Sequence, residues 1–106
     1  MKRMNKRLKK KSEKMRREAL HRILDLVLDI NGMQESKRKL TGSHPTVFGH
    51  ISGHIAAFEI DIHENGWEPD CGADREFFCY FDNRGIGNNP IQMTEELEKY
   101  KEELGV

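Results

Sequence analysis

Five side chains able to ligate a transition metal, His50, His54, His63, Cys71 and Cys79, fall within thirty consecutive residues. A tetrahedral nitrogen and sulfur site would add stability to a thin core, and two cysteines with two histidines are one of the usual zinc sets. His50, His54, Cys71 and Cys79 are therefore the candidate metal ligands. Their spacing argues against the site. No CxxC pair and no helical His-x3-His pair is present; His50 and His54 flank a predicted turn, while Cys71 falls in a loop and Cys79 in a strand. Strand pairing around the 64–74 loop sets Cys79 opposite about Glu59, and at roughly 3.3 Å per residue that is too far from His63 to share an ion. The expectation is a buried free Cys79 between Phe77 and Phe81, with no certain cofactor and a structural zinc as the alternative.

A second constellation, Glu59, Asp61, His63 and Glu64, has the carboxylates and imidazole from which a general base is made. Residues 41–106 carry thirteen acids, so such neighbours arise on an ordinary solvated strand face. No nucleophile elbow, phosphate-binding loop or catalytic-cysteine signature accompanies them. The chain reads as non-enzymatic.

The strongest signal is electrostatic. Eighteen basic and eighteen acidic residues cancel formally, yet residues 1–40 carry a net +9 and residues 41–106 a net −9. Charge sorted this way bears on partners more than on fold. In the basic half, Lys9, Lys10, Lys14 and Arg17 are candidate contacts to phosphates; the stretch lacks aromatic residues for stacking, so contact there would be sequence-tolerant and salt-dependent. In the acidic half, Glu59 and Asp61 could present carboxylates where phosphates would sit in a positively charged groove. Trp67, in a glycine-bearing loop, is the candidate exposed anchor for a protein partner.

The elements that must position these residues follow from periodicity. With 106 residues, 36% hydrophobic and 34% charged, the chain has material for a single thin-cored domain. Residues 1–11 are expected as a frayed basic arm and 12–106 as one domain. Ser12 is the predicted cap of a helix over 12–30, with Leu20, Ile23, Leu24, Val27 and Leu28 as its apolar face. Asn31-Gly32 ends it, and 33–40 is loop or helical extension. The breakers from Thr41 to Pro45 introduce strands at 46–51, 54–63 and 75–82, with a tight turn at Ser52-Gly53 and an alternating second strand. Pro90 precedes a short helix capped by Thr94 that buries Leu97, Tyr100 and Leu104. The fold class is α+β, in the order α-β-β-β-α: a long helix, a three-stranded antiparallel sheet and a short helix. The longest apolar run, 23–30, contains Asp25 and Asp29. It is too short for a bilayer and unlike a signal peptide, which leads to the expectation of a cytoplasmic protein.

His44-Pro45-Thr46-Val47-Phe48, then Ser52-Gly53-His54-Ile55, the alternating strand, and Asn65-Gly66-Trp67 together resemble small uncharacterised proteins carried by phages and mobile elements of Gram-positive bacteria. The resemblance covers about residues 44–67. In size and charge segregation the chain is also similar in type to anti-CRISPR inhibitors, a class that shares no common fold and so assigns no residue. What this implies is a phage-type inhibitor acting in the bacterial cytoplasm. It would bind a Cas9-type effector nuclease of the host, with that effector's nucleic acid as a candidate second partner, and block binding or cleavage by occupancy. The alternative is a small nucleic-acid-binding accessory protein that uses the basic leading helix. No membrane partner is expected.

Overall fold

The first helix carries no glycine or proline between Lys6 and Asn31, and that whole stretch is helical (α1, Lys6–Asn31). The computed structural model describes residues 6–82, 84 and 87–106. The expected start at Ser12 is therefore corrected. Lysine, arginine and leucine are good helix formers, and with no breaker before it Ser12 marks no boundary. Its hydroxyl instead accepts from the Arg16 guanidinium one turn on. Of the expected frayed arm, residues 6–11 are helix and 1–5 lie outside the described residues. Gly32, at φ +85°, ends α1 where expected, and its N–H closes the last turn on Leu28 O at 2.8 Å.

Ile23, Leu26 and Ile30 are fully buried, with Leu20 and Val27 packed beside them. Leu24 and Leu28, expected in the same stripe, are 53% and 37% exposed. The buried face is rotated toward Leu26 because a second helix packs there. That helix, α3 (Pro90–Leu104), follows a one-turn helix, α2 (Arg38–Thr41), within and just beyond the stretch read as loop or extension. The N-cap of α3 is Asn89, not Thr94: the Asn89 side chain accepts from Gln92 N, the Gln92 side chain accepts from Asn89 N, and Pro90 occupies the first turn. Thr94 lies one turn inside, donating to Pro90 O at 2.8 Å and lying 3.2 Å from Ala19 O of α1. Pro90, Met93, Leu97 and Tyr100 form its buried stripe, with Leu104 partly covered.

Between the helices the chain makes β1 (Thr46–Ser52), a short 3-10 turn (Gly53–Ile55), β2 (Ala57–His63) and β3 (Arg75–Tyr80), antiparallel and adjacent in sequence order. This is the expected α+β order α-β-β-β-α. The first connection is longer than a Ser52-Gly53 turn. Ala56, at φ +49°, leaves the extended region, so β2 starts at Ala57 rather than His54. Gly49 pairs with Ile60 and Ile60 with Phe77, so Val47, Phe58, Ile60, Ile62, Phe77 and Cys79 share the face toward the helices. Phe48, His50, Glu59, Asp61, Glu76, Phe78 and Tyr80 share the other, where Trp67 packs on Phe48 at one end, the Arg84 guanidinium lies over Tyr80 at the other, and His50, Glu59, Glu76 and Phe78 between them are exposed.

Candidate functional site

The two long helices run in the same direction with a stagger. Ala19 sits beside Thr94, Arg22 pairs with Glu98 at 3.1 Å, and Asp29 pairs with Lys101 at 3.1 Å. The acids of α3 thus flank only the second half of α1. The first half continues past the start of α3 by about 15 Å, at 1.5 Å rise per residue, within a molecule 54 Å long.

From Lys6 to Arg17 every residue but Ser12 and Arg16 is exposed. Arg16 ties this segment to the end of the sheet, donating from Nε to Phe81 O at 3.0 Å. Lys14 meets Glu18 at 3.9 Å, both exposed, a contact of little energetic weight. Lys6, Arg7, Lys9, Lys10, Lys11 and Arg17 form no ion pair among the described residues. At 100° per residue, Lys6, Lys10, Lys14 and Arg17 fall within about 80° of one another around the axis. The predicted contacts Lys10, Lys14 and Arg17 are therefore brought onto one face, and Lys9 is about a quarter turn away. Lys6 is not among the predicted contacts, and its four-residue spacing from Lys10 was the signal available. Such a stripe, about 16 Å long and with only Lys14 in an ion pair among the described residues, can run beside a phosphate backbone.

The stripe leads into an apolar groove of about 340 Å³ lined by Arg17, Leu20, His21, Leu24, Ile51 and the Phe58 and Phe81 rings. A second hollow of about 350 Å³ lies at the far end of α1, where Trp67 and Pro69 meet Lys37, Arg38 and Lys39. Trp67 is half-buried, its N–H donating to Thr46 Oγ1 at 3.0 Å and its ring meeting Phe48 edge-on at 6.3 Å. The expected free anchor thus closes the sheet end. Glu59 is exposed and Asp61 half-buried on the open sheet face, and neither forms an ion pair among the described residues.

The candidate metal set is not assembled. His50 is on the open sheet face, His54 is in the 3-10 turn, and Cys79 is fully buried on the helix-facing side, so the sheet itself separates them. Among the described residues no group of three or more His, Cys, Asp or Glu could hold a metal. Cys79 packs with Phe77 in the core as a free thiol, and burial pushes its pKa up to about 11. Its register partner is Phe58, one residue from the expected Glu59. Cys71 has a different neighbour: its Sγ lies 3.3 Å from His63 Nδ1. The acid-base cluster is divided as well. His63 is buried beneath Phe48, whereas Glu64 turns to accept from the Tyr100 hydroxyl. Burial, and then that hydrogen bond, raise the Tyr100 pKa above its ordinary value.

Among the described residues no helix is long and apolar enough to cross a membrane. Compared with known proteins, the chain matches no family model, no curated protein and no solved structure.

Proposed function

We propose that this chain is a non-enzymatic binding protein whose Lys6–Arg17 segment contacts the phosphate backbone of nucleic acid. The observation that carries the reading is the stagger of α1 past α3, which leaves Lys6, Lys10 and Arg17 exposed and without an ion pair among the described residues. A helix face of this length meets on the order of four phosphates, and each neutralised phosphate adds roughly 0.9 to the slope of log affinity against log salt. Raising NaCl from 50 to 200 mM should therefore weaken duplex binding about 100-fold, with little dependence on base sequence. Fluorescence anisotropy with a labelled duplex and a labelled single strand tests this. Lys10→Glu with Lys14→Glu should abolish the signal, and binding that ignores salt, or survives this reversal, would overturn the proposal.

A second reading, inhibition of a Cas9-type effector by occupancy, is favoured by the open sheet face. There Glu59, Asp61 and Glu76 surround Phe48 and Phe78, which are 38% and 40% exposed. Carboxylates around aromatic rings suit a cationic protein groove that otherwise holds nucleic acid. This reading requires co-elution with the effector and loss of DNA cleavage at low salt, both removed by Glu59→Lys with Glu76→Lys. If cleavage is unaffected by equimolar protein, it fails.

A further inference from the structure

The loop from Glu64 to Asp74 places a thiol against an imidazole. Cys71 ends a turn in which its N–H donates to Glu68 O at 3.3 Å. Pro69 is the second residue of that turn, and Asp70, at φ +67°, takes the third position that a type II turn ordinarily gives to glycine. The turn brings Cys71 Sγ to 3.3 Å from two donors or acceptors at once, the Glu68 N–H and His63 Nδ1. His63 is held in place, 6% exposed at the end of β2, with its ring edge-on to Phe48 at 5.4 Å. Cys71 itself is only half-buried. Cys79 is the internal contrast, a free thiol fully buried in the core.

A thiol within hydrogen-bond reach of an imidazole, with a peptide N–H directed at the sulfur, has the parts of an activated nucleophile. The surrounding charge is negative. Glu64, Glu68, Asp70 and Asp74 lie in the same loop, which has no lysine or arginine; of the cations that line the hollow beside Trp67 and Pro69, Lys37 is paired with Glu35 and Arg38 with Glu68, which leaves Lys39 against the other acids. These carboxylates repel anionic reagents and attract cationic ones.

We propose that Cys71 is a thiol–disulfide exchange site for small cationic disulfides, with His63 as its base. Sγ attacks one sulfur of RS–SR while His63 Nδ1 accepts the thiol proton. The Sγ–S bond forms, the S–S bond breaks, and the departing RS⁻ carries the electron pair and takes the proton back from the imidazolium. The products are one mixed disulfide on Cys71 and one free thiol, with the disulfide as the sole oxidant.

The full chain should be treated with cystamine, a cationic disulfide, or with anionic glutathione disulfide, and followed by intact-protein and peptide mass spectrometry. One adduct is expected, on Cys71, forming about tenfold or more faster with cystamine at low salt and losing most of that preference at 1 M salt. His63→Gln should slow the reaction about tenfold at pH 7, with the deficit closing above about pH 9, where hydroxide replaces the base. Circular dichroism checks that this variant is folded. Asp70→Gly, which suits the positive φ, should keep the wild-type dependence on His63 while weakening the preference for the cation. Adduct formation on Cys79 at an equal rate, equal rates for His63→Gln and wild type, or no charge preference would each overturn the assignment.

Discussion

Replacing Gly66 by alanine separates two contributions that are usually mixed. Gly66 has φ +83°, and a Cβ there would lie 2.5 Å from Gly42 O and 3.1 and 3.2 Å from Arg38 Cα and N. All three are backbone atoms, so no side-chain rotation relieves the contact. The left-handed conformation alone costs an alanine about 1–2 kcal/mol. Moving α2 away stretches the Arg38 N to Trp67 O bond, 2.7 Å long, and the Arg38 Nε to Asn65 O bond, 2.9 Å long. At about 1 kcal/mol for each bond weakened, the total is about 3–4 kcal/mol. Gly87 is the control, at φ +82° with nothing among the described residues within 4 Å of its Cβ, so Gly87→Ala carries the conformational term alone, about 1–2 kcal/mol. Urea unfolding followed by circular dichroism would read both. At a slope of about 1–1.5 kcal/mol per molar, Gly66→Ala should lower the midpoint by at least 2 M and Gly87→Ala by about 1 M. Equal midpoints for the two variants would refute the view that the junction of α2 with the 64–67 turn is held by backbone contact.

Alkaline unfolding should show the buried thiol. Cys79 keeps its proton to about pH 11 when folded but titrates near 9.0 when exposed, so the unfolded state binds fewer protons between those values. Stability should be intact below pH 9 and fall by roughly 2–3 kcal/mol toward pH 11, and Cys79→Val should remove that part of the decline in pH-dependent urea titrations. Tyr100 acts in the same direction at higher pH, because its pKa is raised by burial and then by the bond to Glu64. Tyr100→Phe should flatten the fall that begins near pH 10, the ordinary tyrosine value, in the same titrations. Asn89→Ala removes the acceptor for Gln92 N and should destabilise by about 1 kcal/mol, a shift of several degrees in a calorimetric scan. Leu97→Ala opens a cavity at a fully buried site and should lose about 2–5 kcal/mol in urea unfolding.

Much of the architecture could be read from residue order because local and tertiary preferences agree there. From Glu59 to Ile62 in β2 and from Glu76 to Cys79 in β3 the alternation of side chains is the alternation of burial, whereas Ala57 and His63 at the ends of β2 are buried on the opposite face. Helix ends were legible only where a breaker stands: Gly32 stopped α1 as expected, while Ser12, preceded by lysines, capped nothing. Leu24 and Leu28 show why an apolar stripe does not by itself fix a packing face. The 3.6-residue period is satisfied equally by a stripe centred on Leu24 or on Leu26, and the docking of α3 decides between them. The thiol–imidazole pair was hidden for another reason. Eight residues separate His63 and Cys71, and their approach depends on the turn Glu68-Pro69-Asp70-Cys71, in which an aspartate adopts a positive φ.

The stagger of the helices also determines what the charge asymmetry can do. If α3 were shifted one or two turns earlier along α1, Glu95, Glu96 and Glu98 would lie beside Lys14 and Arg17, and the two signs would cancel across the helix pair. Instead α3 starts at Pro90, one turn before the Thr94 to Ala19 contact, and the ion pairs that join bases of the first half to acids of the second, Arg22 with Glu98 and Arg38 with Glu68, engage basic residues outside the leading segment. At physiological salt the screening length is about 8 Å, while the overhang is about 15 Å long, so its far half is largely insulated from the acids of the body. A polyanion would thus be attracted to the tip and repelled from the sheet, an end-on geometry that leaves Phe48, Phe78 and the carboxylates between them uncovered. Lengthening α3 at its N-terminus by two acidic turns should then abolish duplex binding with every lysine of α1 still in place. Anisotropy at 50 mM NaCl would measure this, and undiminished affinity would mean that the stagger has no bearing on the charge of the helix tip.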